Sequence, residues 1–296
     1  MRQSLLFVLA AFLGLTAPGG AADTDFGLTL RSRIEKDGKY AVVTKPQAWP
    51  AKQTAVIVCD MWDAHHCLNA VRREEEMVPR MEEFLTKARA NGALVIHAPS
   101  SCMEPYKDHP ARKRAQAAPK AKDLPRDIGE WCKKIPAEEK GVYPIDQSDG
   151  GEDDDPAEHE AWHAKLSAMG RNPKAPWKSQ HPGLTIKNED AISDSGVELW
   201  NLLADRGINN VMLVGVHTNM CVLGRPFGLR QMAKNGKNVV LVRDLTDTMY
   251  NPKMPPYVSH FEGTRLIVEH IEKYVCPTVT SDQVAGVSEF RFKGDK

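Results

Sequence analysis

The chain has 296 residues, of which 42% are hydrophobic and 26% are charged, as in ordinary globular proteins. Lysine plus arginine equal aspartate plus glutamate at 39 each, so the formal net charge is zero. A chain without net charge lacks the electrostatic field that draws proteins to nucleic acid or to an anionic membrane. We therefore expect a small-molecule partner, no nucleic acid and, after processing, no membrane.

The N-terminus has the pattern of a secretory signal peptide. Arg2 supplies positive charge, residues 5–15 form an apolar run, and the small residues 20–22 resemble a cleavage site. The apolar run is about half of the ~20 residues that a membrane span needs. We expect a signal peptide over 1–22, export to the periplasm or beyond, and a single mature domain over 23–296.

Four short apolar segments rich in β-branched residues predict buried parallel strands, at residues 54–60, 93–99, 211–216 and 238–244. Segments with helical spacing alternate with them, at residues 74–91, 195–206, 220–235 and 258–274. This alternation predicts an α/β fold, a three-layer Rossmann-like parallel sheet with helices on both faces.

Residues 104–183 interrupt this alternation with many prolines, an acidic run at 152–155 and three tryptophans, Trp131, Trp162 and Trp177. About eighty residues are too many for a plain loop in a compact domain. We interpret the segment as an insertion that forms a lid. The alternative is a solvated surface excursion without a role.

The six cysteines show no closely spaced pairs of the kind found in zinc ribbons and thioredoxin-like redox centres. In an oxidising compartment some of them could form disulfides, and Cys102 with Cys132 is the candidate pair because both lie in a polar, loop-rich stretch.

Two chemically useful residues follow predicted strands. Ligand crevices in open parallel sheets lie beyond the carboxyl ends of the strands. Asp60 ends the first predicted strand, and Cys221 falls in the first turn of the predicted helix that follows residues 211–216. A helix N-terminus favours thiolate, so this position predicts a lowered pKa for Cys221. A small buried hydrophobic cysteine is the alternative.

Three sequence blocks give the chain a resemblance to a known family. Residues 215–222 read Gly-Val-His-Thr-Asn-Met-Cys-Val, residues 55–62 read Ala-Val-Ile-Val-Cys-Asp-Met-Trp, and residues 185–192 read Thr-Ile-Lys-Asn-Glu-Asp-Ala-Ile. Taken in chain order, residues 55–62, 185–192 and 215–222 resemble the corresponding segments of the isochorismatase-like cysteine hydrolases. The likeness covers most of residues 50–280, without the insertion.

The resemblance implies a catalytic triad in which Cys221 is the nucleophile, Asp60 the general base and Lys187 the cation that keeps the pair charged. It also implies a cis peptide bond at Val216–His217 and oxyanion donors in the backbone N–H groups of His217 and Cys221. No cofactor is implied, and homo-oligomers are common in such proteins.

The site also departs from the well-studied family members. Nicotinamidases carry an Asp/His metal cluster after the second strand, where this chain offers only His97. His65 and His66 lack a familiar ligand spacing, so we expect no metal. Ile192 and His217 also differ from the usual residues, so the identity of the substrate does not transfer. Trp62 and Thr218 are candidate substrate-binding residues, although Trp62 could equally fill the core.

The resulting hypothesis is a cysteine-dependent hydrolase that cleaves an amide-type C–N bond of a small molecule through an acyl-enzyme. Ether hydrolysis within the family is disfavoured, because such enzymes usually lack the cysteine. A non-catalytic binding protein on the same fold is the alternative from another class. A thiol redox protein would need a second cysteine, and Cys59 is the only candidate at a strand end.

Overall fold

The computed structural model describes residues 25–295, so the predicted signal peptide lies outside the described residues. The strands are β1 (Phe26–Lys36), β2 (Lys39–Trp49), β3 (Thr54–Cys59), β4 (Leu94–Ala98), β5 (Ala191–Ile192), β6 (Asn210–Val216), β7 (Asn238–Asp247) and β8 (Thr278–Val279). The helices are α1 (Leu68–Ala90), α2 (Pro110–Ala117), α3 (Pro156–Ala168), α4 (Gly196–Asp205), α5 (Leu229–Lys234), α6 (His260–Tyr274) and α7 (Asp282–Ala285). No described helix has the length and apolar character needed to cross a membrane.

The four predicted strands form the parallel centre of one eight-stranded sheet, in the order β2-β1-β8-β7-β6-β3-β4-β5. Strand β3 pairs in parallel with both β4 and β6, and every residue of β3 and β6 is buried. Burial on both sides explains why these segments are continuously apolar and do not alternate.

Successive strand residues supply two apolar layers, one on each face of the sheet. Val56 packs in the layer that contains Met77 of α1, whereas Ile57 packs with Leu199 of α4 and Ile267 of α6. The predicted α/β architecture with helices on both faces is therefore confirmed.

Two parts of the fold differ from the sequence-based expectation. A long antiparallel hairpin, β1–β2, joins the edge of the sheet through β8 and was not predicted. The predicted helix over 220–235 is also broken, because Pro226 lacks an N–H donor and Gly228 takes an extended conformation as the N-cap of α5. Only one wide π-helical turn, Thr218–Val222, and α5 remain of that helix.

The acidic run at 152–155 fastens the insertion to the body of the protein. Asp154 accepts backbone N–H groups of Leu68 and Asn69 at 2.8 and 2.7 Å, and thereby caps α1. Asp153 pairs with Arg73 at 2.8 Å, and Asp155 caps α3. The insertion is thus folded against the body with helices of its own, which contradicts the solvated-excursion interpretation; its role as a lid stays a prediction.

Candidate active site

The carboxyl ends of β3 and β6 lie side by side, because Cys59 pairs with Gly215 in the parallel register. This register places Asp60 next to the turn that carries Cys221. Gly215 has a φ of +109°, and a Cβ there would lie 2.0 Å from the carbonyl oxygen of Cys59. Only glycine allows the two strand ends to approach this closely.

Asp60 is fully buried and holds two directional hydrogen bonds. Its Oδ1 accepts the backbone N–H of Ser100 at 2.8 Å, and its Oδ2 accepts Nε–H of Arg225 at 2.9 Å. Burial raises the pKa of Asp60 above its usual value, although Arg225, Cys221 and Ser100 each act to lower it. Asp60 is therefore a carboxylate of unusual basicity that a cation keeps charged.

Cys221 lies beside Asp60 with only 7% of its surface exposed. Burial, followed by the negative charge of Asp60, raises the pKa of the Cys221 thiol well above its usual value, and Arg225 opposes this rise. The expectation of a lowered pKa from a helix N-terminus is therefore wrong, since Cys221 sits in a buried π-helical turn. In the resting protein the sulfur is a thiol next to a base.

The cation beside Asp60 and Cys221 is Arg225. The prediction that Lys187 is this cation is therefore corrected. The side chain of Lys187 is exposed, and its ammonium pairs with neither Asp60 nor Cys221. Its backbone N–H instead helps to hold Asp190, which forms an ion pair with Arg89 at 2.9 Å. Arg225 lies four residues after Cys221, one helical turn onward, and this spacing is the signal that could have indicated it.

The remaining predicted site residues lie close by, but two of them are closed to solvent. The Val216–His217 peptide bond is cis, as the resemblance implied. Thr218 is fully buried, with its hydroxyl 2.7 Å from that of Thr246. Trp62 donates its indole N–H to the carbonyl of Ser100.

Trp62 stacks on Trp177 of the insertion. The two rings are 4.5 Å apart and nearly parallel, so an insertion residue covers one face of Trp62. Trp62 itself is 5% exposed. Trp62 and Thr218 thus pack against the insertion and β7, and their role in binding a substrate stays a prediction.

A buried histidine pair adjoins the nucleophile turn. His65 Nδ1 accepts the backbone N–H of Cys67 at 3.1 Å, so its proton sits on Nε2. That Nε2 lies 3.3 Å from Nε2 of His217, which therefore accepts and carries its own proton on Nδ1. Burial lowers the pKa of both rings, to about 4 for His217, so both are neutral at pH 7.

The histidines considered as metal ligands do not point to a common site. His97 bonds Gln180 at 2.7 Å and Asp190 at 3.2 Å, whereas the Nε2 of His65 faces His217. In the described part of the chain, Cys67, Asp153 and Asp154 bring ligand atoms within 4.8 Å of one another. The oxygens of these two aspartates already serve Arg73 and the N-terminus of α1, so this cluster is built for structure.

The six cysteines are all free thiols, so Cys102 and Cys132 do not form the candidate disulfide. Cys132 instead donates its backbone N–H to the carbonyl of Gly224 at 2.8 Å. This bond docks the insertion onto the segment between Cys221 and Arg225.

The raised pKa predicts how Cys221 responds to iodoacetamide. Because thiolate is the reactive form, alkylation of Cys221 in the folded protein is expected to be slower at pH 7 than that of a free thiol and to rise continuously up to about pH 10. Asp60→Asn removes a charge that raises the pKa of the thiol, so more thiolate is present at pH 7 and alkylation there should be faster than in the unaltered protein. Mass spectrometry of the labelled peptide measures both rates; a plateau below about pH 8 in the unaltered protein contradicts the assignment.

Comparisons with known proteins give one family match and several similar solved structures. Residues 152–253 match the model of the family described as Isochorismatase domain. Among solved structures, the chain is similar to a cysteine hydrolase from Pseudomonas syringae pv. phaseolicola 1448A, at 16% identity over 80% of this chain and 92% of that one, with a TM-score of 0.46. An isochorismatase family protein from Burkholderia thailandensis matches at 17% identity over 79% and 95%, with a TM-score of 0.44. The nicotinamidase of Staphylococcus aureus matches at 11% identity over 77% and 98%, with a TM-score of 0.35.

No curated protein matches the chain. The mostly parallel sheet with interleaved helices is an α/β fold. The match over residues 152–253 includes two of the three sequence blocks, residues 185–192 and 215–222, and agrees with the resemblance that they carry.

Proposed function

We propose that this protein is a cysteine-dependent hydrolase that cleaves an amide-type C–N bond of a small molecule. The observation that supports this most directly is the buried Cys221 beside Asp60, whose carboxylate is held by Arg225 at 2.9 Å. A base of raised pKa next to a neutral thiol is suited to generating thiolate only when a carbonyl is in place to be attacked.

The reaction would proceed through an acyl-enzyme. As the Cys221 sulfur bonds to the carbonyl carbon, its proton passes to Asp60 and the carbonyl electrons move to oxygen, where backbone N–H groups of His217 and Cys221 stabilise the oxyanion. Collapse of this intermediate breaks the C–N bond, and the amine leaves with the proton from Asp60. Water, deprotonated by Asp60, then hydrolyses the thioester, releasing the acid and restoring the thiol.

The activated ester p-nitrophenyl acetate tests this function without knowledge of the natural substrate. The unaltered protein should acetylate Cys221 and release nitrophenolate continuously. Cys221→Ser should lose the acetylation, and Asp60→Asn should acetylate far more slowly and without turnover, because no base remains to take the thiol proton or to activate water. Cys102→Ser, which changes another buried cysteine, should behave like the unaltered protein.

Mass spectrometry of the intact protein and its peptides locates the acetyl group. Absence of acetylation at Cys221 would reject the hydrolase and favour the non-catalytic binding protein. Acetylation without turnover in the unaltered protein would reject the role of Asp60 in the second step. A screen of small amides, followed by release of amine, then extends the result to the C–N bond.

We also propose that the protein is exported through residues 1–22 and works as a mature domain from residue 23 onward. The positive charge, apolar run and small residues of this segment support the proposal. Intact mass of the protein recovered from each cellular fraction tests it. A full-length chain confined to the cytoplasm would contradict export.

A further inference from the structure

A cavity of about 470 Å³ opens beside the nucleophile turn, on the surface of the protein. Asn219 and Met220, the two residues before Cys221, line it together with the insertion residues Trp131 and Tyr143. Its volume falls in the range of small-molecule sites, about 300 to 1,000 Å³. Nothing in the catalytic steps described above uses this cavity.

The walls of the cavity suit a flat apolar group. Trp131 and Met220 are each 40% exposed, so they present apolar surface that packing inside the protein does not cover. Tyr143 donates its hydroxyl to the carbonyl of Asn219 at 3.2 Å, which fixes its ring at the cavity wall. Aromatic rings held in this way stack with planar ligands.

The charge of the cavity favours an anion. Lys133 and Lys134 are exposed at its rim, and within residues 25–295 neither ammonium has an acidic partner. At the floor, Arg230 is already neutralised by both oxygens of Glu138, at 2.7 and 2.8 Å, and His270 also bonds Glu138. The floor therefore carries a closed ion pair, and the two lysines are the unpaired charges.

Two side chains, Trp131 and Arg225, connect the cavity with the catalytic pair. The ring of Trp131 lies over the guanidinium of Arg225, 5.2 Å from ring centre to Cζ, and Arg225 holds Asp60 on its other side. Trp131 also packs directly on Gly224, where a Cβ would lie 2.5 Å from the indole. A ligand that contacts Trp131 is thus connected to Asp60 through the indole and then the guanidinium of Arg225.

We propose that this cavity binds the non-reacting part of the substrate, a flat ring that carries a carboxylate or a similar anionic group. The inference rests on the proposed hydrolase function and adds a substrate class to it. The ring stacks between Trp131 and Tyr143, the anionic group meets Lys133 and Lys134, and movement of the Trp131 indole admits the amide to Cys221.

Benzoate and its uncharged isostere benzamide are the probes that test this site, with binding measured by calorimetry on the full mature protein. Benzoate should bind about tenfold more tightly than benzamide, because two exposed ammonium groups each contribute on the order of 1 kcal/mol or less. The double change Lys133→Gln with Lys134→Gln should remove that preference. The control pair Lys120→Gln with Lys122→Gln alters exposed lysines of the same insertion outside the cavity lining and should preserve it.

Two further readouts separate this site from the catalytic proposal. Cys221→Ser should still bind benzoate, so a failure of the acetylation experiment leaves the binding result standing. In the unaltered protein, benzoate should slow alkylation of Cys221 by iodoacetamide, and the double lysine variant should lose this protection. Equal affinity for both probes, no binding at millimolar benzoate, or binding without protection of Cys221 would overturn the proposal.

Discussion

Arg225→Gln is expected to lower the rate of Cys221 acetylation by p-nitrophenyl acetate about 100-fold, the loss typical of removing a preorganised electrostatic group. Without the guanidinium, the effect of burial on the pKa of Asp60 loses its strongest opposition, so the pKa rises further and less of the carboxyl is charged. The thiol pKa also rises, because Arg225 opposes the effect of burial on Cys221. The variant therefore has less Asp60 carboxylate and less Cys221 thiolate, and raising the pH restores both.

Lys187→Gln is the matched control for this experiment. The Lys187 side chain is exposed and away from the pair, so the acetylation rate should stay within about twofold of the unaltered protein. Arg225→Lys should recover part of the rate, since it restores the charge without the planar geometry of the guanidinium. If Lys187→Gln abolished acetylation and Arg225→Gln did not, the assignment of the cation made here would be wrong. The pH–rate profile of each variant separates loss of a charge from loss of folding.

The sequence predicted the central sheet and two members of the site for a clear physical reason. Buried parallel strands are short and continuously apolar, so residues 54–59 and 210–216 stand out from their polar flanks. Polar residues at the ends of such strands meet at one edge of the sheet, which brings Asp60 and Cys221 together. The break in the helix after Cys221 was harder to predict, because the spacing of the apolar residues suggested one continuous helix through Pro226 and Gly228.

The cation could not be assigned correctly, because residues 185–192, the segment that contains Lys187, carry little structural information. Strand β5 has only two residues, so no periodicity indicates which neighbouring side chain turns inward. The local ion pair of Asp190 with Arg89 leaves Lys187 outside, whereas Arg225 approaches Asp60 from the other side of the nucleophile. By contrast, the alternation of Phe26, Leu28 and Leu30 did indicate strand β1 and could have been recognised.

Arg73→Met is expected to destabilise the protein by about 3 to 5 kcal/mol, the usual cost of breaking a buried ion pair from one side. Arg73 bonds Asp247 at 2.8 Å and Asp153 at 2.8 Å, and the three side chains are 11%, 2% and 9% exposed. The variant leaves two buried carboxylates with His260 as a side chain that contacts both of them. Urea unfolding measures the loss, and the neighbouring Arg72→Met is the control.

Arg72 pairs with Glu158 at 2.7 Å, but both side chains are about half exposed, so its loss should cost less than about 1 kcal/mol. The pH dependence gives a second check. Burial alone would raise the pKa of Asp247, but Arg73 and His260 outweigh it and hold that pKa below its usual value. The stabilisation is therefore complete above the unfolded pKa of about 3.9 and is lost as the pH falls below it, so the unaltered protein and Arg73→Met should converge in acid. A constant difference down to about pH 2 would show that Arg73 acts through packing and not through charge, and would remove the electrostatic account of how residues 152–155 hold the insertion in place.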